Sequence, residues 1–242
     1  MRSVRFLAFV MVLFVFSSCG ENKEKTTTET TSTDTSAATT TEAPASTIVT
    51  TPQHMMLVKH RVSNYEKFLS VFEAHDSLRE ANGMHKYVIG QQVGNPNMVF
   101  VSVKADDMDK AMAFAKDPGL KQAMQKSGVT GAPEMSFVTI VWQDTLTVSS
   151  NMRALSTFSV KDWKAWEAGF QAGKQERIDN GIADRVYGYD AASNNKVTLV
   201  TAILDSAKAY AYWKSDMLKQ RRAQGGVIGE PNRFLFNVTK RY

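Results

Sequence analysis

Residues that build common metal and thiol sites are scarce in this chain of 242 residues. Its single cysteine excludes disulfides within the chain and sites built from several thiolates. The four histidines lack the spacing with which zinc enzymes place two of them on one helical face, so we expect no metal site. The formal net charge is only +5, and the lysines are interspersed with acids. We therefore expect no nucleic-acid partner.

Long apolar runs are also missing, with one exception near the amino terminus. Phe6–Phe16 is unbroken and apolar, and Arg2 and Arg5 precede it. A helix of about eleven residues is roughly 16 Å long, too short for a hydrocarbon core of about 30 Å. Positive residues, a short apolar run and then small residues are typical of an export signal. We predict a signal peptide over residues 1–18.

Cys19 lies directly after two serines and before Gly20. This order resembles the lipobox of bacterial lipoproteins, although Phe16 stands where leucine is usual. The resemblance implies cleavage before Cys19 and attachment of palmitate-like acyl chains, which would hold the chain on a membrane of the bacterial cell envelope. Gly20 favours the outer membrane, on its periplasmic face or at the surface. A plain secretory signal and a retained anchor helix are the alternatives.

A linker follows the cysteine. Residues 19–54 are rich in Thr, Ser, Ala and Glu and contain no aromatic side chain. Such a segment cannot bury enough apolar surface to offset the entropy lost on ordering. We therefore predict a disordered tether over this range. Its Thr and Ser content leaves O-glycosylation open.

The remaining sequence repeats itself at an offset of 98 residues. About twenty positions coincide without a gap, which is the pattern of an internal duplication. The agreement includes a Gly-Val-x-Gly-x-Pro segment that begins at Gly128 in one copy and at Gly226 in the other. Chance does not hold register through that many turn-forming residues. We predict two domains, residues 55–146 and 151–242.

Each copy has the pattern strand, helix, strand, strand, helix, strand. In the first copy, the short apolar run Met55–Val62 indicates a strand, and Gly83 ends the helix that follows. Asp107 can cap the second helix, and Pro118 can open a further short one. This βαββαβ order is the ferredoxin-like α+β plan, in which helices cover one sheet face. We expect the two bare faces to pack together as an intramolecular pseudo-dimeric α/β barrel, with a homodimer as the alternative.

Each copy resembles the dimeric α/β-barrel superfamily, which includes the antibiotic-biosynthesis monooxygenases. The resemblance rests on an aromatic first helix that ends in Arg-x-x-x-Gly, on the Asn-Pro-Asn turn at 95–97 and on the Gly-Val-x-Gly-x-Pro segment. It spans 55–142 and 153–240 and matches an uncharacterised branch. It implies a cavity between sheet and helices or between the sheets. Haem ligation by a histidine is left open, although the sequence itself indicates no cofactor.

Candidate ligand contacts lie on the second strand of each copy. Residues at alternate strand positions share a face, and here that face is polar and aromatic: His85, Tyr87, Gln91, Arg185, Tyr187 and Tyr189. We predict a pocket for a small ligand, with Arg185 available to a carboxylate. The alternative is a solvated sheet edge.

Arg79 and Arg177 match in the two copies, near the end of the first helical segment. They are further candidate ligand contacts, and a structural ion pair or helix-end charge is the alternative. No nucleophile elbow, phosphate loop or paired carboxylates accompany them. We predict a membrane-anchored lipoprotein that binds a small, partly apolar ligand or an envelope partner without catalysis. The alternatives are a cofactor-free monooxygenase-like enzyme for an aromatic or quinone-like substrate, and a purely structural protein.

Overall fold

Two similar halves follow one another in the structure, a computed structural model that describes residues 46–242. The first half consists of β1 (Ile48–Val49), β2 (Gln53–Val62), α1 (Tyr65–Ala74), α2 (Asp76–Glu80), β3 (Met84–Gln92), β4 (Asn95–Ala105), α3 (Met108–Phe114), α4 (Pro118–Lys126) and β5 (Val129–Asp144). The second half consists of β6 (Met152–Val160), α5 (Trp163–Ala172), α6 (Lys174–Asp179), β7 (Ile182–Asp190), β8 (Ser193–Ile203), α7 (Ser206–Lys214), α8 (Asp216–Gln224) and β9 (Val227–Arg241). The predicted signal peptide, Cys19 and most of the predicted linker lie outside the described residues.

Eight of these strands form a closed antiparallel barrel. Their order is β5–β2–β4–β3–β9–β6–β8–β7, and β7 pairs with β5 again. Each half contributes four neighbouring strands, and the two sets join at two seams, β3 with β9 and β5 with β7. The predicted α+β class and barrel are confirmed, and the barrel closes within a single chain. The domain boundaries at 55–146 and 151–242 stay a prediction.

Local signals place the helix ends where the sequence predicts them. The side chain of Asp107 accepts a hydrogen bond from the backbone N–H of Lys110 at 2.8 Å, which caps α3. Pro118 occupies the first turn of α4, where its missing N–H costs nothing. Gly83 follows α2 with φ +64°, a left-handed conformation that favours glycine. None of the helices within residues 46–242 is long and apolar enough to cross a membrane.

Strand alternation separates the core into an interior and an exterior layer. Met55 points into the barrel and packs with Phe100 and Phe236, whereas Met56 points outward under the helices and packs with Phe68. Helices cover the outer face of the barrel in both halves, and each half has its own apolar cluster there. The barrel therefore offers two kinds of cavity, one inside it and one between sheet and helices.

Matching glycines allow the strands to come close at the two seams. A Cβ atom at Gly188 in β7 would lie 2.0 Å from the carbonyl oxygen of Thr139 in β5. A Cβ atom at Gly90 in β3 would lie 2.3 Å from a ring atom of Phe236 in β9. The register shifts at both seams, as expected where backbones approach closely.

The end of the predicted linker differs from the expectation. Ile48 and Val49 pair with Asp144 and Gln143 at the end of β5, and β2 begins at Gln53 rather than Met55. The reason is local. The linker contains the β-branched pair Ile48-Val49 near its end, and β5 continues past the end of β2, which leaves an edge of β5 free to pair with them.

Candidate functional site

Two matching β-bulges break the alternation on which the predicted pocket depended. In β3 the pairing with β4 passes from Lys86 directly to Val88, so that Tyr87 is the extra residue. In β7 the pairing with β8 skips Arg185 in the same way. An extra residue moves every following side chain to the opposite face. The prediction that the six candidate residues share one face is therefore wrong.

His85 and Gln91 lie at the surface and far from each other along β3. Each imidazole nitrogen of His85 faces a carboxylate, Asp106 at 2.9 Å and Glu80 at 2.8 Å. The hydrogen bond to Asp106 and then that to Glu80 raise the pKa of this histidine. Gln91 donates to the backbone carbonyl of Pro96 at 2.9 Å in the adjoining turn. Both side chains thus have local partners.

Tyr187 and Tyr189 follow the bulge in β7 and point toward the helices. Tyr187 is fully buried, stacks on Trp142 at 5.3 Å between ring centroids and accepts a hydrogen bond from Gln171 at 2.8 Å. Burial raises the pKa of its phenol. Tyr189 meets the Trp163 ring edge to face at 5.0 Å. These contacts are those of core residues.

Tyr87 and Arg185 are the two candidates that the bulges bring together. Both line the cavity inside the barrel, close to one of its ends. The Tyr87 hydroxyl accepts a hydrogen bond from Gln143, and burial raises the pKa of this tyrosine. The Arg185 guanidinium donates to the carbonyl of Leu146 and lies 3.5 Å from Asp144.

Arg79 and Arg177 have structural partners, as in the alternative interpretation. Arg177 donates to both carboxylate oxygens of Asp184, at 2.7 and 2.6 Å, and its guanidinium lies 3.6 Å from the ring centre of Phe170. Arg79 pairs with Asp76 at 3.1 Å. Both arginines nevertheless border a cavity between sheet and helices, one in each half.

The larger of these two cavities, here called the second-half pocket, lies between the sheet and helices α5–α8 and encloses about 100 Å³. Its walls are aromatic and aliphatic: Phe158, Trp166, Phe170, Leu199, Trp213 and Leu218. Gly169 in α5 also lines it, and a Cβ atom at this position would meet nothing within 4 Å. The pocket is therefore an apolar recess that remains open on its helical side.

Besides Arg177, three arginines line the second-half pocket, and they differ in how well they are paired. Arg221 is bound to Glu176, and the hydrogen bond from Arg221 is the main cause of the lowered pKa of that carboxyl. Arg222 reaches only Glu230, a largely exposed side chain, at 3.1 Å. The third, Arg233, makes no ion pair within residues 46–242, because no Asp or Glu of this range lies within 4.0 Å of it.

Arg233 has the features of a guanidinium held for a ligand. It lies 4.0 Å from the ring centre of Trp213, and its Nε is buried without a hydrogen-bond partner. Burial, and then the nearby charge of Arg222, lower the pKa of Arg233 to about 10. The group therefore stays charged at neutral pH, and the Glu230 carboxylate, which raises its pKa, acts on it only from beyond ion-pair distance.

The corresponding cavity of the first half, here called the first-half pocket, lies between the sheet and helices α1–α4 and encloses about 60 Å³. At the 98-residue offset, five features of the second-half pocket become apolar or are filled. Gly169, Trp213, Arg221, Arg222 and Arg233 correspond to Val71, Ala115, Ala123, Met124 and Met135. The sequence thus contains an indication of the second-half pocket. It lies in the residues that differ between the copies rather than in those they share.

Comparisons with known proteins identify the fold. No protein-family model matches the chain, and no curated protein matches its sequence. A proposed monooxygenase of Fusobacterium nucleatum subsp. nucleatum is similar in structure, with a TM-score of 0.52 and 12% identity over 78% of this chain and 93% of that one. The chain has the dimeric α/β-barrel fold.

Two further solved structures agree with this assignment. An anthrone oxidase-like protein superimposes with a TM-score of 0.54 and 10% identity, over 81% of this chain and 95% of its own. A proposed chlorite dismutase has a TM-score of 0.53 and 12% identity, over 78% and 96%. Identities this low establish the shared barrel and carry no activity over to this chain.

The sequence leaves haem ligation by a histidine open, and the two histidines that line a cavity between sheet and helices do not fit it. His60 and His75 line the first-half pocket, but a space of about 60 Å³ is far smaller than drug-sized ligand pockets of roughly 300 Å³ or more. The larger second-half pocket is lined by no histidine among the described residues. No group of three or more potential metal ligands occurs within residues 46–242.

His60 is instead a buried core residue with unusual surroundings. It is 4% exposed, its ring lies 5.0 Å from that of Phe68, and neither nitrogen has a hydrogen-bond partner. Burial lowers the pKa of its imidazole to about 4. The matching residue of the second half is Phe158. His60 therefore occupies the place of an aromatic ring.

Proposed function

We propose that the second-half pocket binds a small molecule with an apolar, ring-sized body and an anionic group. The observation that carries this proposal is the guanidinium of Arg233, which lies over Trp213 beside the apolar recess with no carboxylate partner. In the first half the matching residue is Met135. The asymmetry favours one site of this kind per chain rather than one in each half.

The walls of the pocket suit an aromatic or branched aliphatic group. An enclosed, apolar cavity of about 150 Å³ holds a benzene molecule, and the second-half pocket encloses about 100 Å³ behind an open mouth. A single ring can therefore enter the recess in part and pack against the Phe158 and Trp166 side chains, which contact each other edge to face, while the remainder of the ligand stays nearer to solvent. Burial of such a group is worth on the order of 2 kcal/mol.

The arginines at the mouth suit a carboxylate or a similar anion. Arg233 and Arg222 line the same pocket, so two positive charges lie there with reduced access to water. A negative charge supplied by a ligand would offset this cost. A guanidinium presents paired donors that match the two oxygens of a carboxylate. An anion would also offer an acceptor to the buried Nε of Arg233, which has none among residues 46–242.

Fluorescence titration of the tryptophans tests this proposal, because Trp166 and Trp213 line the pocket. We expect benzoate and hexanoate to quench emission in a saturable way, and benzyl alcohol and hexanol to do so much more weakly. Arg233→Met, which installs the first-half residue, should weaken benzoate binding by about 10-fold or more, the effect of a lost charge-assisted hydrogen bond.

Two further variants make the test specific. Gly169→Val places the first-half residue in the open space of the pocket and should abolish binding of all four probes while the chain stays folded. Arg61→Met removes an exposed arginine from β2 and should change nothing. Equal weakening by Arg61→Met and Arg233→Met, or no saturable quenching by either anion, would contradict the proposal.

We also propose that this site is held at the bacterial envelope by a lipid on Cys19. The support is the sequence alone: two arginines, a short apolar run and two small residues before the cysteine. Mass spectrometry of the amino-terminal peptide should find diacylglyceryl-modified cysteine, and Cys19→Ser should release the protein from the membrane fraction. An unmodified Cys19 in a mature chain would contradict it.

The monooxygenase-like alternative stays a prediction, since the likeness to such proteins supports the fold alone.

A further inference from the structure

A second cluster of arginines lies inside the barrel, on the opposite face of the sheet from the second-half pocket. Arg153 of β6, Arg185 of β7 and Arg241 of β9 line one interior cavity of about 60 Å³ near the end of the barrel. Arg153 is 3% exposed and Arg185 is 8% exposed, whereas Arg241 reaches solvent. We call these three residues the lumen arginines.

Positive charge exceeds negative charge in this cavity. Asp144 is the one carboxylate among the described residues that line it, and it lies 3.5 Å from Arg185. Lys104 adds a further cation, with its ammonium 4.7 Å from the ring centre of Tyr87, which also lines the cavity. One acid therefore faces three guanidinium groups among the described residues that line the cavity, with the Lys104 ammonium beside Tyr87.

The protein satisfies the lumen arginines only in part. Nη1 of Arg153 donates to the carbonyls of Ser150 and Met152, at 2.7 and 2.9 Å, and Arg185 donates from Nη2 to Leu146. Carbonyl oxygens accept hydrogen bonds but carry no net charge. Nη1 of Arg185 is buried and has no hydrogen-bond partner among the described residues, and the Asp144 carboxylate lies 3.5 Å from it as an ion-pair partner. Donors and charge thus remain available for a ligand.

Mutual repulsion among the lumen arginines is the physical cost of this arrangement. Burial is the main reason why the pKa of Arg153 falls to about 10, and the charges of Arg241 and Arg185 lower it further. Buried charges of one sign are stable only when they are paired. A bound anion would offset both the burial and the repulsion.

We propose that the lumen arginines bind a small oxyanion, either a phosphate or a carboxylate group. Guanidinium donors match the oxygens of both. A cavity of about 60 Å³ limits the occupant to a free ion or to the terminal group of a larger molecule that extends past Arg241. This site is independent of the amphiphile site proposed for the second-half pocket.

Calorimetric titration and thermal unfolding of the full chain test the proposal. Inorganic phosphate should bind saturably and raise Tm above the value in sodium chloride of equal ionic strength, since a ligand of the native state stabilises it. Arg241→Gln is the first variant, because this residue is exposed and its loss leaves the core intact. It should weaken phosphate binding at least 5-fold.

Arg61→Gln is the matched control, since it removes an exposed arginine outside the cluster. It should leave phosphate affinity unchanged.

Acetate and glycerol phosphate are titrated in parallel. Acetate distinguishes a carboxylate from a phosphate, and glycerol phosphate distinguishes a free ion from a phosphoester. Saturable binding of either supports the site. The proposal is overturned if chloride raises Tm as much as phosphate does, or if Arg241→Gln and Arg61→Gln bind phosphate equally well. Benzoate quenching at the second-half pocket should be unaffected by Arg241→Gln, which separates the two sites.

Discussion

The two pockets between sheet and helices occupy matching places in the two halves, yet their linings differ in chemistry. The second-half pocket is lined by arginines at three positions where the first half has apolar residues: Ala123 and Met124, which line the first-half pocket, and Met135, which does not. The residues shared by the copies are mostly those that turn the chain or pack the core. In this barrel the residues that differ between the halves, rather than those they share, mark the pocket for which we propose a ligand.

The buried ion pairs of the two halves should give the largest difference in stability. Arg177 and Asp184 are 7% and 6% exposed as side chains, whereas Asp76, the partner of Arg79, is 37% exposed. Asp184→Ala strands a buried guanidinium and should lower the free energy of unfolding by about 3–5 kcal/mol. Asp76→Ala should cost less, about 1–2 kcal/mol, because water can reach Arg79 and Lys86 through the place of the partly exposed Asp76, although Arg79 itself is as buried as Arg177. Urea unfolding of the two variants measures both, and equal losses would show that the pairs are equivalent.

Acid should destabilise the first half through His60, which has no counterpart in the second. The pKa of His60 falls from 6.5 to about 4 on folding because the charged form is buried. The unfolded chain therefore binds the proton first, and stability is lost as pH falls from about 6.5 to about 4. The loss amounts to roughly 3 kcal/mol.

His60→Phe, which copies Phe158, should remove this part of the pH dependence. Urea midpoints at pH 7 and pH 4.5 for both proteins provide the measurement, since all other carboxylates and histidines are common to both. His85 is a useful contrast because its pKa is raised, which gives the opposite sign. An unchanged difference between the two midpoints would mean that His60 is solvated in the native state.

The seam glycines should show a smaller asymmetry between the halves. A Cβ at Gly188 collides with backbone atoms of Thr139 and Ile140, whereas one at Gly90 collides first with the Phe236 ring. Gly188→Ala should therefore cost about 1–3 kcal/mol, and Gly90→Ala somewhat less, since a side chain can move more easily than a strand. Thermal unfolding ranks them. The reverse order would show that the core around Phe236 is the more rigid seam.

The smallest expected effect is a gain in stability at Gly169. This residue lies within α5 and has free space at its Cβ, so Gly169→Ala should stabilise the chain by about 0.5–1 kcal/mol. At Gly173 a Cβ would come within 3.1 Å of the side chains of Arg177 and Arg221. Gly173→Ala should therefore give no such gain. Chemical denaturation of both variants tests whether the second-half pocket is as open as its lining indicates.

Much of the fold could be predicted from the sequence because its signals are local and repeated. The run Met55–Val62, the cap at Asp107 and the turn at Gly83 each fix an element, and the duplication gives every signal twice. The bare faces of the two sheets then leave few solutions other than closure. Intramolecular closure itself depends on close backbone approach at Gly90 and Gly188, which no local pattern expresses.

The candidate site could be predicted only in part. Period-two reasoning grouped His85, Tyr87 and Gln91, but a single bulged residue at Tyr87 separates them, and nothing in the local sequence marks a bulge. Arg233 is not among the predicted residues because it lies in β9, whereas the strand candidates lie in β3 and β7. Arg185 lines the barrel interior because of the corresponding bulge in β7, which the sequence does not mark either.

The short strand β1 has a mechanical consequence for the tether. Only Ile48 and Val49 attach it to β5, whereas β2 is paired along its length with β4 and β5. A pull applied from the amino-terminal side would therefore detach β1 first and stop at β2. Releasing the seven residues 46–52 frees at most about 24 Å of extended chain, at about 3.4 Å per residue. If Cys19 carries the proposed lipid anchor, the barrel would move away from the membrane under load while its cavities stay intact.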